Sequence, residues 1–345
     1  MSESSSRVFL GMSGGVDSSV SALLLQQQGY EVVGCYMKNW SQDLPGMHCP
    51  WAEDLADAKR VATRLGIEFR IFDFEQQYRD KVVDAIIAEY KVGRTPNPDI
   101  LCNQEVKFKL FYDIAIEQGA DLIATGHYAQ IKDGCLARAV DEQKDQTYFL
   151  YRMPREALAR TIFPVGHLLK SEVKKLAEEH GLSTAAKKES MGICFIGDVD
   201  IRHFLRQYID IQPGPILDAQ TGKKLGIHEG VPFYAIGQRH GLYIASDLPY
   251  YICRKDVNTN TIYVTKNLNS KDLWRSEVKL GSILEVHCAA GMLFRTRHRG
   301  ELVEGILDGD TVRFAEPQKA LNPGQSVVLY GGPDHQLCLG GGIIA

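Results

Sequence analysis

Two rhythms of apolar and polar positions run along this chain, and one gives way to the other near residue 212. In the first part, short apolar runs alternate with longer stretches whose apolar residues recur every three or four positions. The runs Arg7–Met12, Glu31–Met37, Ile67–Phe74 and Ala120–Thr125 predict strands. Between them the spacing predicts helices over Ser18–Gln28, closed by Gly29, and over Ala52–Leu65, ended by Gly66. Two more helices are expected over about Gln76–Lys91 and Glu105–Gln118, with Pro96 and Pro98 barring any continuation between them. Strands separated by helices in this way imply βαβ units and an α/β, doubly wound parallel sheet. From Asp141 to about Tyr208 the pattern is helical and irregular. Beyond Gln212 helical spacing disappears, and turn residues punctuate short β-branched runs. Residues 212–270 therefore read as a small β-rich module, and 278–344, with Val312–Phe314 and Ser326–Tyr330 as strands, as a closed β-barrel.

A chain of 345 residues is too long for one ordinary domain. The division expected is a catalytic α/β domain over 1–203, a central β-rich module over 204–272 and a C-terminal β-barrel over 273–345. Hydrophobic residues at 44% and charged residues at 24% are ordinary for a globular protein. No apolar run approaches the roughly 18–20 residues that span a bilayer, and the first residues carry neither a signal core nor a transit pattern, so the cytoplasm is expected and no membrane. The eight cysteines (35, 49, 102, 135, 194, 253, 288 and 338) are scattered without a Cys-x-x-Cys pair, which excludes a disulfide framework or a zinc finger. A net charge of −4 does not announce a nucleic-acid partner, so any such binding must come from local patches.

Chemistry enters at the end of the first strand. Gly11-Met12-Ser13-Gly14-Gly15-Val16-Asp17-Ser18-Ser19 runs from strand into helix. Glycines let the backbone approach an anion closely, and the uncapped N–H groups and positive dipole end of a helix hold phosphate oxygens. Ser13, Ser18 and Ser19 can add hydroxyl donors. There is no Gly-Lys-[Ser/Thr], so this is not a Walker loop built for γ-phosphate transfer. An acid in place of that lysine suits release of pyrophosphate from ATP, with Asp17 a candidate to hold Mg²⁺. The bland alternative is a Gly-Ser turn before an ordinary helix. The string resembles the pyrophosphatase-type (PP) loop of the adenine-nucleotide α-hydrolase-like superfamily, whose members activate an oxygen as an adenylate.

Two thiols occupy unusual surroundings. In Thr95-Pro-Asn-Pro-Asp99-Ile-Leu-Cys102-Asn103, a helix starting at Ile100 would make Asp99 its N-cap and put Cys102 in the first turn, where the dipole lowers a thiol's pKa. In Ser190–Gly197, Cys194 lies between glycines, with Lys187 and Lys188 upstream to favour a thiolate. A capping Asp and buried core thiols explain either stretch taken alone. Cys35, Cys135, Cys253, Cys288 and Cys338 sit in strand-like surroundings, and His48-Cys49 lacks partners at metal-ligand spacing, so no metal site is expected.

Taken in order, Gly11–Ser18, Met37–Trp40, Gly93–Asn103, Ala124–Tyr128, Lys144–Gln146, Phe163–Gly166, Gly192–Gly197, Gly237–Arg239 and Cys338–Ile344 resemble the tRNA-specific 2-thiouridylase family of bacteria and mitochondria. The resemblance covers about residues 7–345. It implies that Gly11, Met12, Ser13, Gly14, Gly15, Val16, Asp17, Ser18, Met37 and Gly126 bind ATP. It further implies that Asn97, Pro98 and Asp99 face the target base, that Asp99 is the acid/base catalyst, that Cys194 carries a persulfide and that Cys102 is its partner thiol. The positions implied to touch tRNA are His127, Lys144, Asp145, Gln146, Arg297, His298 and Gln325. Expected partners are a tRNA anticodon arm and a persulfide-carrying donor protein. The chain departs from the pattern at Met191, where relatives commonly carry Thr, and at His240 and Tyr243, commonly Lys and Gly.

The stretch Phe294-Arg-Thr-Arg-His-Arg299 is, from its residues alone, either a phosphate contact or a solvated strand face. Two rival functions use the same loop. An amidotransferase-type ATP pyrophosphatase acting on a small metabolite needs no thiol pair, and a non-catalytic RNA-binding protein needs no intact loop. A variant of the first reading has Asp99, Cys102 and Cys194 hold an iron–sulfur cluster.

Overall fold

The computed structural model of the chain describes residues 5–43, 49–188, 201–284 and 291–345. His48, Met191, Cys194 and Cys288 lie outside the described residues. The chain divides into two compact units. The first takes in Met1–Val83, Pro98–Val199 and Gly331–Leu339, the second Asp84–Asn97, Asp200–Tyr330 and Gly340–Ala345.

In the first unit, β1 (Arg7–Gly11) lies at the centre of a five-stranded sheet between β2 (Glu31–Lys38) and β4 (Leu122–Thr125). Beyond β2 comes β3 (Glu68–Asp73), and beyond β4 the short strand Thr161–Ile162; every pairing is parallel. Burial explains the order. Val8, Phe9 and Leu10 are fully buried, as a strand covered on both faces requires, whereas the edge strand β3 exposes Glu68, Ile71 and Asp73. Burying a side chain such as Phe9 contributes about 1.5–3 kcal/mol. Helix α1 (Val16–Gln27) is buried nearly all round, and α2 (Trp51–Leu65) buries one stripe, Ala58, Val61 and Ala62.

The expected helix over Gln76–Lys91 is a composite, α-helical at Glu75–Tyr78 and Asp84–Lys91 with a π-helical stretch Arg79–Val83 between. A hairpin, Gln130–Lys132 with Cys135–Ala137, went unforeseen; its turn is Asp133-Gly134, both at positive φ.

In the second unit, Gly214–Asp218, Lys224–His228, Tyr251–Asp256 and Thr261–Thr265 form the small β-rich module as a four-stranded sheet. Six strands follow: Trp274–Ile283, Leu293–Arg295, Val303–Asp308, Thr311–Lys319, Ser326–Gly331 and Leu337–Ile344. The first pairs back onto the last, Leu280 opposite Ile344, and closes the barrel. Closure leaves no edge strand to template aggregation.

Candidate active site

The strand order reverses direction between β1 and β4, and in a doubly wound sheet the crevice beyond that switch point is where ligands bind. The loop Met12–Gly15 leaves β1 there, Met37 lies near the end of β2, and Gly126 follows β4. Their backbones are closely fitted. Gly14 has φ +75°, and a Cβ there would come within 2.2 Å of the Asp54 carbonyl oxygen in the first turn of α2. A Cβ on Gly126 would meet the Ser18 nitrogen at 2.7 Å, and one on Gly11 the Met37 Cε at 2.9 Å. Helix α1 starts two residues earlier than its spacing predicts, because Gly15 rather than a serine is its N-cap, and no side chain caps it. Its first-turn N–H groups are thus not spent on a capping side chain, the arrangement that receives an anion.

The three serines differ. Ser13 is exposed, while Ser18 and Ser19 are buried and donate their hydroxyls to the Gly15 carbonyl, at 3.1 and 2.8 Å. Of the three hydroxyls expected as donors, Ser13 carries the one on an exposed residue. Asp17 is fully engaged: Lys170 Nζ lies 2.6 and 2.8 Å from its two carboxylate oxygens, and the Tyr128 hydroxyl donates to Oδ1 at 2.9 Å. Among the described residues no group of three or more His, Cys, Asp or Glu is placed to hold a metal ion.

Next to Gly126, His127 is buried between Phe108 and Phe163. Thr125 Oγ1 is 2.8 Å from its Nδ1 and Lys107 Nζ 3.4 Å from its Nε2. Burial, and then the Lys107 charge, push its pKa well below the ordinary histidine value, so the ring is neutral. Gln146 binds the Tyr128 backbone on both sides, its Oε1 accepting from Tyr128 N at 2.8 Å and its own N–H donating to Tyr128 O at 2.9 Å. Asp145 is buried and accepts from the Thr147 hydroxyl at 2.9 Å; Lys144 is half-buried beside it.

The helix carrying Cys102 begins at Pro98, not Ile100. Proline is favoured at a first helical position, where its missing N–H is no loss. Asp99 therefore sits inside the first turn rather than at the N-cap. Cys102 is fully buried, and from Asn103 to Leu110 the helix widens to π-helical winding, a distortion common beside functional sites. Lys187, upstream of Cys194, which lies outside the described residues, has two carboxylate partners of its own. Its Nζ binds Asp54 Oδ1 at 2.7 Å and Asp57 Oδ2 at 2.5 Å; burial opposes its charge, but these two hydrogen bonds win and raise its pKa.

Within the second unit, Arg297 and Gln325 come together on a cavity of about 450 Å³, also lined by Thr95, Ile236, Lys319 and Asn322. Gln325 Nε2 donates to the Thr95 carbonyl at 2.6 Å. The Asn322 carboxamide clamps the Ile236 backbone, accepting from its N–H at 2.7 Å and donating to its carbonyl at 3.1 Å. Arg297 and Lys319 supply two positive charges, and among the described residues no carboxylate lines the cavity.

Three family models match the chain in order: a tRNA methyl transferase HUP domain over residues 6–198, a tRNA methyl transferase PRC-barrel domain over 202–266, and an aminomethyltransferase beta-barrel domain over 277–344. Full-length relatives are more specific than those descriptions. The tRNA-specific 2-thiouridylase MnmA of Pseudomonas paraeruginosa is 48% identical over 98% of this chain and 94% of its own. That of Lactococcus lactis subsp. cremoris is 43% identical over 99% and 96%.

The chain belongs to the tRNA-specific 2-thiouridylase family.

A solved 4-thiouridine synthetase–RNA complex with bound ATP is far more distant, 19% identical over 59% of this chain and 50% of its own, at TM-score 0.39. The placement in the 2-thiouridylase family therefore rests on the full-length relatives. Of the residues that the family pattern singles out, Gly11–Ser18, Met37 and Gly126 share one edge of the parallel sheet, Asn97, Pro98 and Asp99 are half-exposed, and Arg297 and Gln325 share one cavity. His298 is half-buried beside Arg297. Sequence reasoning missed Lys170, Lys319 and Asn322. Lys170 opens a helix after the plain apolar pair Leu168-Leu169, and nothing local ties it to Asp17, 153 positions away. Asn322 precedes Pro323-Gly324, and nothing local announces its clamp on Ile236.

Proposed function

We propose that this 2-thiouridylase thiolates the wobble uridine of tRNA in two steps, adenylation and sulfur transfer. The observation that carries the reading is full-length membership of the family together with a glycine loop left uncapped at the switch point of the sheet. ATP is the first substrate, its phosphates against the α1 N-terminus, Ser13 and Gly15, its adenosine toward Met37 and Gly126. Mg²⁺, if used, would arrive on the nucleotide's own phosphates and supply charge neutralisation there; Asp17 as it stands is occupied by Lys170. Asn97 and Pro98 hold the extruded uridine, and Asp99 takes its N3 proton as O2 attacks the α-phosphorus. The O2–P bond forms, the bond to the β-phosphate breaks, and pyrophosphate leaves with the electron pair.

The terminal sulfur of a Cys194 persulfide then attacks C2, and AMP departs with the former O2. Cys102 attacks the Cys194 sulfur, freeing 2-thiouridine and leaving a Cys102–Cys194 disulfide for an external thiol to reduce. The anticodon arm would also meet His127, Lys144, Asp145, Gln146, Arg297, His298 and Gln325, with Asp145 and Gln146 acting as brackets for the loop that carries Lys144. A separate protein delivers the persulfide, and the work is divided among residues 1–203, 204–272 and 273–345. No helix among the described residues is long and apolar enough to cross a membrane, which suits a cytoplasmic enzyme. The test is nucleoside analysis of tRNA from cells lacking the protein. Loss of 2-thiouridine with other thionucleosides intact is expected; unchanged 2-thiouridine would refute the assignment.

A further inference from the structure

We propose that Trp274 and Lys319 form a further tRNA contact that takes one unpaired nucleotide, its base against the exposed indole and its phosphate in the cavity that Lys319 shares with Arg297. This rests on tRNA being the substrate, as read above. Trp274 opens the strand Trp274–Ile283, directly opposite Lys319 at the end of Thr311–Lys319. The indole is 39% exposed, and its Nε1–H donates to the Leu268 carbonyl at 2.6 Å, so a large ring is pinned in one orientation at the surface. The Lys319 ammonium lies 5.9 Å from the centre of that ring and 5.1 Å from the centre of the Tyr251 ring. Among the described residues no carboxylate pairs with Lys319 or with Arg297.

The backbone holds this pair in place. The ladder between the two strands is interrupted between Arg275 and Glu277, whose partners jump from Gln318 to Arg313, and a bulge of this kind re-aims the side chains beside it. Ala320 then takes φ +59°, a left-handed conformation that strains a residue with a Cβ, and its N–H donates to the Leu273 carbonyl at 2.8 Å. The cavity wall Ala235–Gly237 is also fixed. Asn322 clamps Ile236, the Gly237 N–H donates to the Ile252 carbonyl at 2.7 Å, and the Lys255 ammonium donates to the Tyr234 carbonyl at 2.6 Å. A double-helical stem shows its bases only by their edges, whereas an unpaired base offers a face to an aromatic ring. A pinned indole beside two cations therefore matches the base and the phosphate of one unpaired nucleotide, and the anticodon loop supplies such nucleotides. An apolar protein patch would cover the indole and leave both cations unanswered.

The experiment follows tryptophan fluorescence and equilibrium binding of the full chain with tRNA, with hexauridylate and with a blunt RNA duplex, and uses thermal unfolding as a control. The chain has three tryptophans, and Trp40 and Trp51 belong to the first unit, so Trp274→Phe isolates the Trp274 signal by difference. tRNA and hexauridylate should quench that signal, and the duplex much less. Trp274→Ala should weaken tRNA binding about tenfold with the salt slope unchanged, and Trp274→Phe, which keeps a ring, should recover most of the affinity. Lys319→Met should lower the salt slope by about one, and Lys319→Arg should restore it. A duplex that quenches as strongly as hexauridylate, or Trp274→Ala and Lys319→Met proteins with wild-type affinity and slope, would overturn the proposal and leave thiolation standing. Quenching by the persulfide donor protein but not by tRNA would give the surface to a protein and overturn it too. If tRNA quenches Trp274 while cells lacking the protein keep their 2-thiouridine, the thiolation reading falls and this contact stands.

Discussion

At the end of β1 the groups suited to an anion are backbone N–H groups, delivered by a contiguous string from Gly11 to Ser19. Around the cavity of the second unit they are the ends of side chains, Arg297 and Lys319, on a frame drawn from residues near 95, 236 and 322. The first arrangement is set by local backbone geometry, so one added methyl group can destroy it. The second is set by long-range packing, so its members can be weakened singly and by degrees. Physical cause and legibility go together here: a site made by consecutive peptide groups can be seen in the string that makes it, whereas a site made by folding cannot.

The thiol motifs are local strings like the loop, and they give the largest expected effects. With a radiolabelled persulfide donor and no tRNA, Cys194→Ser should take up no stable label, while Cys102→Ser should label and then fail to thiolate when ATP and tRNA are added. Label at Cys102 in the Cys194→Ser protein would reverse the two roles. Next comes the loop. Gly14→Ala places a methyl 2.2 Å from the Asp54 carbonyl oxygen on a backbone at φ +75°, so either the loop or the first turn of α2 must move. A misplacement of about 1 Å at a reacting centre costs on the order of 10² in rate. Pyrophosphate release should fall by at least that, with tRNA binding nearly intact; wild-type release would show that the loop is not where ATP reacts.

The cavity should respond in smaller, separable steps. Arg297→Ala removes a charge and should weaken tRNA binding about tenfold while lowering the salt slope by about one. Asn322→Ala removes no charge but unclamps the Ile236 backbone, at a cost of about 1–3 kcal/mol. It should lower unfolding stability and tRNA affinity together and leave the salt slope unchanged. If both variants changed the slope alike, the distinction between frame and charge would fail.

How much could be read ahead follows the same line. The parallel sheet and the ends of α2 came from periodicity and from Gly66, whose φ of +67° is the left-handed turn that stops a helix. The start of α1 falls two residues before the expected Ser18, because Ser18 and Ser19 lie inside the helix, bonded back to Gly15. Asp99 was displaced from the N-cap by the ability of Pro98 to occupy the first helical position. Lys187 also binds Asp54 and Asp57, a pairing of side chains more than a hundred positions apart that no local pattern encodes. Lys170 was invisible for the same reason.

The smallest expected effect compares two buried histidines, one in each unit, and it vanishes at neutral pH. His127 is held well below the ordinary histidine pKa by burial and then by Lys107; His228 is lowered by burial, against which its bond to the Asn260 carbonyl at 3.0 Å works. For both, the unfolded chain binds a proton near pH 6.5 while the folded chain refuses it until lower pH. Stability is therefore fully present above about pH 6.5 and is lost as pH falls from there toward the folded value. The limiting slope is about 1.4 kcal/mol per pH unit for each group. Urea unfolding followed from pH 8 to pH 5 should show this fall, with His127→Gln flattening more of it than His228→Gln, since the Lys107 charge adds to the effect of burial at His127 whereas the Asn260 carbonyl works against it at His228. At pH 8 neither substitution should change the pH slope. A His127→Gln protein whose stability still falls as steeply as the wild type below pH 6.5 would show that the ring is not held neutral, and that the first unit tolerates a charge between Phe108 and Phe163.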